Sequence, residues 1–142
     1  MKKESYRDCA TNAFRLWAAL GKPTYQEAME RMSRIGDENE IALHIGGLYD
    51  ILACERVWER LRKDKPYICD CVEYVYMHEP NRGLRYREIG SLVLRFSVER
   101  NVSERQVWNW LAEAREEYAV ARGMRIESNE EFVRAYGSCK NG

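Results

Sequence analysis

Histidine is scarce in this chain: His44 and His78 are the only two in 142 residues. A paired-histidine metal motif has little to draw on, and no zinc site or other cofactor is expected. Nine glycines and three prolines are spread thinly, and no glycine-rich phosphate loop is present. No run of eighteen apolar residues occurs, so no membrane span is expected. The opening Met-Lys-Lys-Glu-Ser turns polar instead of entering an apolar signal core, which predicts a cytoplasmic protein. An excess of one charge is also missing. Lys and Arg number 23 and Asp and Glu number 23, for a formal net charge of zero. That argues against tight, nonspecific nucleic-acid binding by the whole chain, but not against a local basic face. The five cysteines make no disulfide framework. Cys69 and Cys71 are two apart, no second pair lies near them, and Cys9, Cys54 and Cys71 are expected to be buried free thiols. No nucleophile, base and orienting group can be paired from the sequence, so no enzyme is expected.

What is present is helical spacing and aromatic bulk. Four Trp, nine Tyr and three Phe, with 45% hydrophobic residues overall, suffice for the core of one domain. The expected class is all-α, a helical bundle. Residues Ser5 to Leu20 read as a first helix with an apolar stripe of Ala13, Leu16, Trp17 and Leu20, ended by Gly21. Thr24 and Glu27 form a capping box for a short second helix carrying Ala28, Met29, Met32 and Ile35. Trp17 and Tyr25 are expected to pack across that corner. Asp37 and Glu40 can cap a long helix from Glu38 to Arg62, marked by Ile41, Ile45, Leu48, Leu52, Trp58 and Leu61. Gly46-Gly47 inside it allows a close helix crossing or a kink, and His44 reads as structural. Arg60, Arg62, Lys63 and Lys65 make its end basic, which suits a helix C-terminus or a phosphate-contacting surface. Pro66 opens the next helix, with Ile68, Val72, Val75 and Tyr76 on its face, and Glu79 to Gly83 read as a turn.

Residues 1–65 are expected to be a scaffold, dimer surface or interaction region. Residues 66–124 hold a helix-turn-helix, and 125–142 a short helix capped by Ser128 and Glu131, then a tail. The whole is expected to form one compact domain.

Arg85 to Gly123 is the most informative stretch. Ile89, Leu92, Val93 and Phe96 give one amphipathic helix. Ser103 and Gln106 form a capping box for another, whose inner face is Val107, Leu111, Ala114, Tyr118 and Ala121, with Gly123 as its stop. Glu113, Glu116 and Glu117 read as ordinary surface charges. Two such helices with a joint of Val98 to Val102 are what a helix-turn-helix needs. Five arginines face three glutamates between Arg85 and Arg105. In that arrangement the second helix reads the major groove. Glu104, Arg105, Trp108 and Asn109 are the candidate base contacts, and Arg85, Arg87, Arg100 and Ser103 the candidate phosphate contacts. Trp110 has no clear place. The same pattern also fits a helical protein-interaction module.

Ser103-Glu104-Arg105-Gln106-Val107-Trp108-Asn109-Trp110-Leu111-Ala112-Glu113-Ala114-Arg115 resembles the second helix of the sigma-factor region 4 type of helix-turn-helix. The wider arrangement, with the Asn12–Leu20 helix and the stretch Ala121-Arg122-Gly123-Met124, is similar to the ArpU or RinA type of late-gene regulators encoded by phages and prophages of Gram-positive bacteria. The local match spans about 40 residues, and the usual short Gly-containing turn is replaced by Val98 to Val102. The resemblance implies a sigma-like transcription regulator that contacts double-stranded DNA at a promoter, with RNA polymerase as a possible partner and a homodimer suited to a repeated site. A small-terminase-like DNA-packaging protein and a protein adaptor are the alternatives.

Overall fold

A computed structural model of the chain describes residues 5–34, 38–78 and 86–124; within these, only the helical backbone is described at 38–46 and 86–87. The described residues form six helices and no strand: α1 (Arg7–Ala19), α2 (Tyr25–Ser33), α3 (Glu38–Asp64), α4 (Pro66–Val75), α5 (Tyr86–Arg100) and α6 (Glu104–Arg122). The architecture is an all-α bundle, as the spacing predicts. None of these helices is long and apolar enough to cross a membrane.

Helices α3, α4 and α6 form the middle of the bundle. They pack on one another, with α1 against α3 and α6, α2 on α3, and α5 on α4 and α6. Phe14 sits at the aromatic centre. Its ring lies 5.9 Å from Tyr118 and 6.5 Å from both Trp58 and Tyr76. Offset and tilted rings at these separations add to the burial of their area. Ile68, Val72, Val75 and Tyr76 are all buried, as expected of α4, and so are Val107, Leu111, Ala114 and Tyr118 of α6. Ala121 is partly buried against the same core.

The helix ends follow the sequence signals. Thr24 and Ser103 each accept the backbone N–H three residues on, at 3.1 Å. Such a cap stabilises a helix by about 1 kcal/mol. Pro66 occupies the first turn of α4. Gly123 closes α6 at φ 76°, with Met124 N–H donating to the Ala119 carbonyl at 2.8 Å. This left-handed close suits a residue without Cβ.

Some expectations are corrected. The stripe of α1 is rotated: Ala10, Ala13, Phe14 and Trp17 are buried, while Leu16 and Leu20 are 44% and 41% exposed. Ala13, Leu16, Trp17 and Leu20 span two faces, one on the core and one on a groove. Met29 is likewise exposed on α2. Trp17 finds Trp58, in an edge-on contact at 5.3 Å, and its indole N–H donates to the Pro23 carbonyl at 2.8 Å; Tyr25 instead donates its backbone N–H to Glu55. A Cβ added at Gly47 would meet no atom within 4 Å, so this glycine serves no close crossing. Cys9 is exposed, and Cys69 joins Cys54 and Cys71 as a buried thiol. The expectations for Asp37 as a cap, for His44, Ile41 and Ile45, for the Glu79–Gly83 turn and for the Ser128 cap lie outside the described residues.

Candidate nucleic-acid interface

The joint between α5 and α6 is shorter than the sequence suggests. Val98, Glu99 and Arg100 continue α5, so only Asn101, Val102 and Ser103 separate the helices. Asn101 takes φ 55°, the left-handed conformation. Its N–H donates to the Val98 carbonyl at 3.3 Å, and Val102 N–H donates to the Ser97 carbonyl at 3.0 Å. These two bonds close a helix in the way a glycine usually does, and asparagine tolerates the conformation better than most residues. Val102 then packs, partly buried, against the core. Ser103, extended at φ −73° and ψ 153°, turns the chain into α6.

Glu104, Arg105 and Asn109 are exposed on the first two turns of α6. Among the described residues none of the three has a hydrogen-bond or ion-pair partner. The opposite face of these turns is sealed, with Val107 and Leu111 fully buried. Trp108 sits at the margin, partly buried against the core. Trp110 fills the seam between α4 and α5, 5.0 Å from Tyr67 and edge-on to Phe96 at 6.5 Å. Ser103 is at the helix start, its oxygen occupied by the Gln106 N–H. Arg100 is on the surface, but its guanidinium lies 3.5 Å from an Asp70 carboxylate oxygen and 5.2 Å above the Phe96 ring. Arg85 and the side chain of Arg87 lie outside the described residues.

The rest of α6 is tied into the bundle. Lys65 pairs with Glu113 at 2.6 Å, and that contact raises the affinity of Lys65 for its proton. Arg60 reaches Glu117 at 3.5 Å, and Arg62 reaches Glu73 at 3.3 Å. Most of the basic stretch at the end of α3 and just beyond it is therefore spent on neighbouring helices, and Glu113 and Glu117 are partners of Lys65 and Arg60 rather than ordinary surface charges. Arg115, buried, donates to the Tyr76 hydroxyl at 2.6 Å. Asp50 Oδ1 accepts from Tyr118 Oη at 2.7 Å and from Arg122 Nε at 2.9 Å. Burial first, and then the Asp50 hydrogen bond, push the Tyr118 phenol well above its ordinary value.

The part of α6 free to meet a ligand thus runs from Ser103 to about Asn109. Seven residues of helix span about 10 Å, the length of about three base pairs. Sequence reading missed two charged residues on the neighbouring helices α4 and α5. Arg95 is an exposed cation on α5, recognisable only as part of a charge count. Asp70 belongs to α4, thirty positions from Arg100, and nothing local links the two.

No group of three or more metal-ligating side chains exists among the described residues. Burial pushes the Cys69 thiol up to about 11 and the Cys71 thiol up to about 12, so both stay protonated and poorly nucleophilic at neutral pH. Elsewhere, an apolar groove of about 290 Å³ runs between α1, α2 and α3, lined by Leu16, Leu20, Pro23, Met32, Gly47 and Leu48, with Arg31 at its side.

No family model matches the chain, and neither a curated protein nor a solved structure does. The class defined by the molecule itself is a six-helix all-α bundle whose α5 and α6 meet through a three-residue turn.

Proposed function

We propose that this chain is a sequence-specific DNA-binding transcription regulator, encoded in a prophage, that reads the major groove with the start of α6. The observation that carries the reading is the pairing of Arg105 with Asn109. The two are one helical turn apart, exposed, and without partners among the described residues, on a helix start whose other face is sealed into the core. Arginine suits guanine O6 and N7, and asparagine suits adenine N6 and N7, each with two hydrogen bonds. Glu104 can accept from a cytosine amine, and Trp108 contributes apolar contact at the groove edge. Ser103 and Arg100 contact phosphate and hold the register. A window of about three base pairs and a neutral chain give weak binding by one copy. A homodimer on a repeated site, or RNA polymerase beside the protein, supplies the remainder.

Enrichment of duplexes from a random pool tests this, run in parallel with an Arg105→Ala/Asn109→Ala variant. The reading expects one shared short sequence containing a G and an A, and its loss in the variant. Retention of DNA without any shared sequence, by a ring-like oligomer, favours a packaging role. No retention at about 50 mM salt contradicts DNA binding by the protein alone.

A second reading rests on the α1–α2–α3 groove. Leu16 and Leu20 are exposed on it, and Arg31 stands beside them, so it fits an amphipathic partner helix bearing a carboxylate. Under that reading the protein is an adaptor, and Leu16→Glu/Leu20→Glu abolishes partner binding while leaving DNA retention unchanged.

A further inference from the structure

Asp70 and Arg100 form an ion pair across the α4–α5 seam beside the turn. They are 3.5 Å apart, and their side chains are 41% and 51% exposed. That separation is longer than a well-formed charged hydrogen bond, which closes to about 2.9 Å. The guanidinium also rests on the Phe96 ring at 5.2 Å. The ring face holds the cation without consuming its N–H donors, because the attraction is to the π-cloud. Arg100 is therefore placed by one contact and loosely occupied by the other. It also ends α5, three residues ahead of Ser103, the cap of α6.

We propose that Asp70 is a brake on DNA binding: its carboxylate holds Arg100 in the free protein, and a DNA phosphate must displace it. This deepens the DNA-binding reading and rests on it. The exchange swaps one anion for another at a guanidinium already oriented by Phe96, so no helix has to move. Asp70 then stands, unpaired, near a phosphate, and its charge opposes the complex. A phosphate accepts two parallel N–H bonds from arginine, which the 3.5 Å pair does not make. The arrangement keeps the resting surface close to neutral and limits binding to DNA that also satisfies Arg105 and Asn109.

The test is a double-mutant cycle in DNA affinity, read by fluorescence anisotropy on a labelled random-sequence duplex of about 20 base pairs at about 50 mM salt. The four proteins are the wild type, Asp70→Asn, Arg100→Ala and the double variant. An exposed pair of this kind is worth a factor of about two to five. The proposal therefore expects Asp70→Asn to tighten binding by about that factor when Arg100 is present, and by less than half as much when Arg100 is alanine. Equal tightening in both backgrounds shows only a general loss of negative charge, and overturns the proposal. Binding by the wild type with no gain from Asp70→Asn overturns it while leaving the DNA reading standing. No binding by any of the four proteins, to this duplex or to duplexes enriched from a random pool, removes both. Urea midpoints measured on the same samples confirm that each variant is folded.

Discussion

The two halves of α6 are built from similar residues and do opposite things. Each carries arginine, glutamate and aromatic side chains. In the second half these are spent: Glu113 on Lys65, Arg115 on Tyr76, Tyr118 and Arg122 on Asp50. In the first half Glu104, Arg105 and Asn109 have no such partners among the described residues. Sequence composition does not distinguish the halves. What distinguishes them is the neighbour: α3 runs alongside the second half and supplies Asp50 and Arg60, whereas the first half projects past it, beside the turn from α5. A side chain bound to another helix contributes to the fold, and one left free is available to a ligand.

The comparison can be broken most forcefully at Leu111, fully buried beneath the boundary between the halves. Leu111→Ala should cost about 3 kcal/mol through lost burial and a cavity, read as a fall in the urea midpoint. Asn109→Ala, two residues away and exposed, should change stability by less than about 0.5 kcal/mol. Asp50→Ala comes next. It removes the shared acceptor of Tyr118 and Arg122 and should cost about 2 kcal/mol, with faster amide exchange at the end of α6. Ser103→Ala strips the cap at the start of the first half. About 1 kcal/mol of stability should go, and Ser103→Asp should recover most of it. A further small effect lies away from α6 and has the opposite sign. Gly47→Ala fills open space on α3 and should raise stability by about 0.5 to 1 kcal/mol, from helix propensity alone.

Much of the fold was legible because helix signals are local. The Thr24 and Ser103 caps, Pro66 at the start of α4 and Gly123 at the end of α6 are all decided within four residues of sequence, and each stands where expected. The faces of α4 and α6 were legible because a single stripe on each is buried. The α1 stripe was not, since Leu16 and Leu20 are apolar for a groove rather than the core. The turn was misjudged because asparagine at a left-handed position looks like any polar residue until its φ is seen. For the candidate site, the exposure of Arg105 and Asn109 follows from the period of α6. The holding of Arg100 by Asp70, and of Arg60, Arg62 and Lys65 by Glu117, Glu73 and Glu113, depends on contacts between elements that no window of sequence contains.

The most direct measurement pairs stability with DNA affinity in the Arg105→Ala/Asn109→Ala variant, using the duplex enriched by the wild type. The account predicts a urea midpoint within error of the wild type and at least about a tenfold loss of affinity, since each two-bond base contact is worth about 1–3 kcal/mol. An unchanged affinity for that duplex would contradict the claim that the free half of α6 is the reading surface.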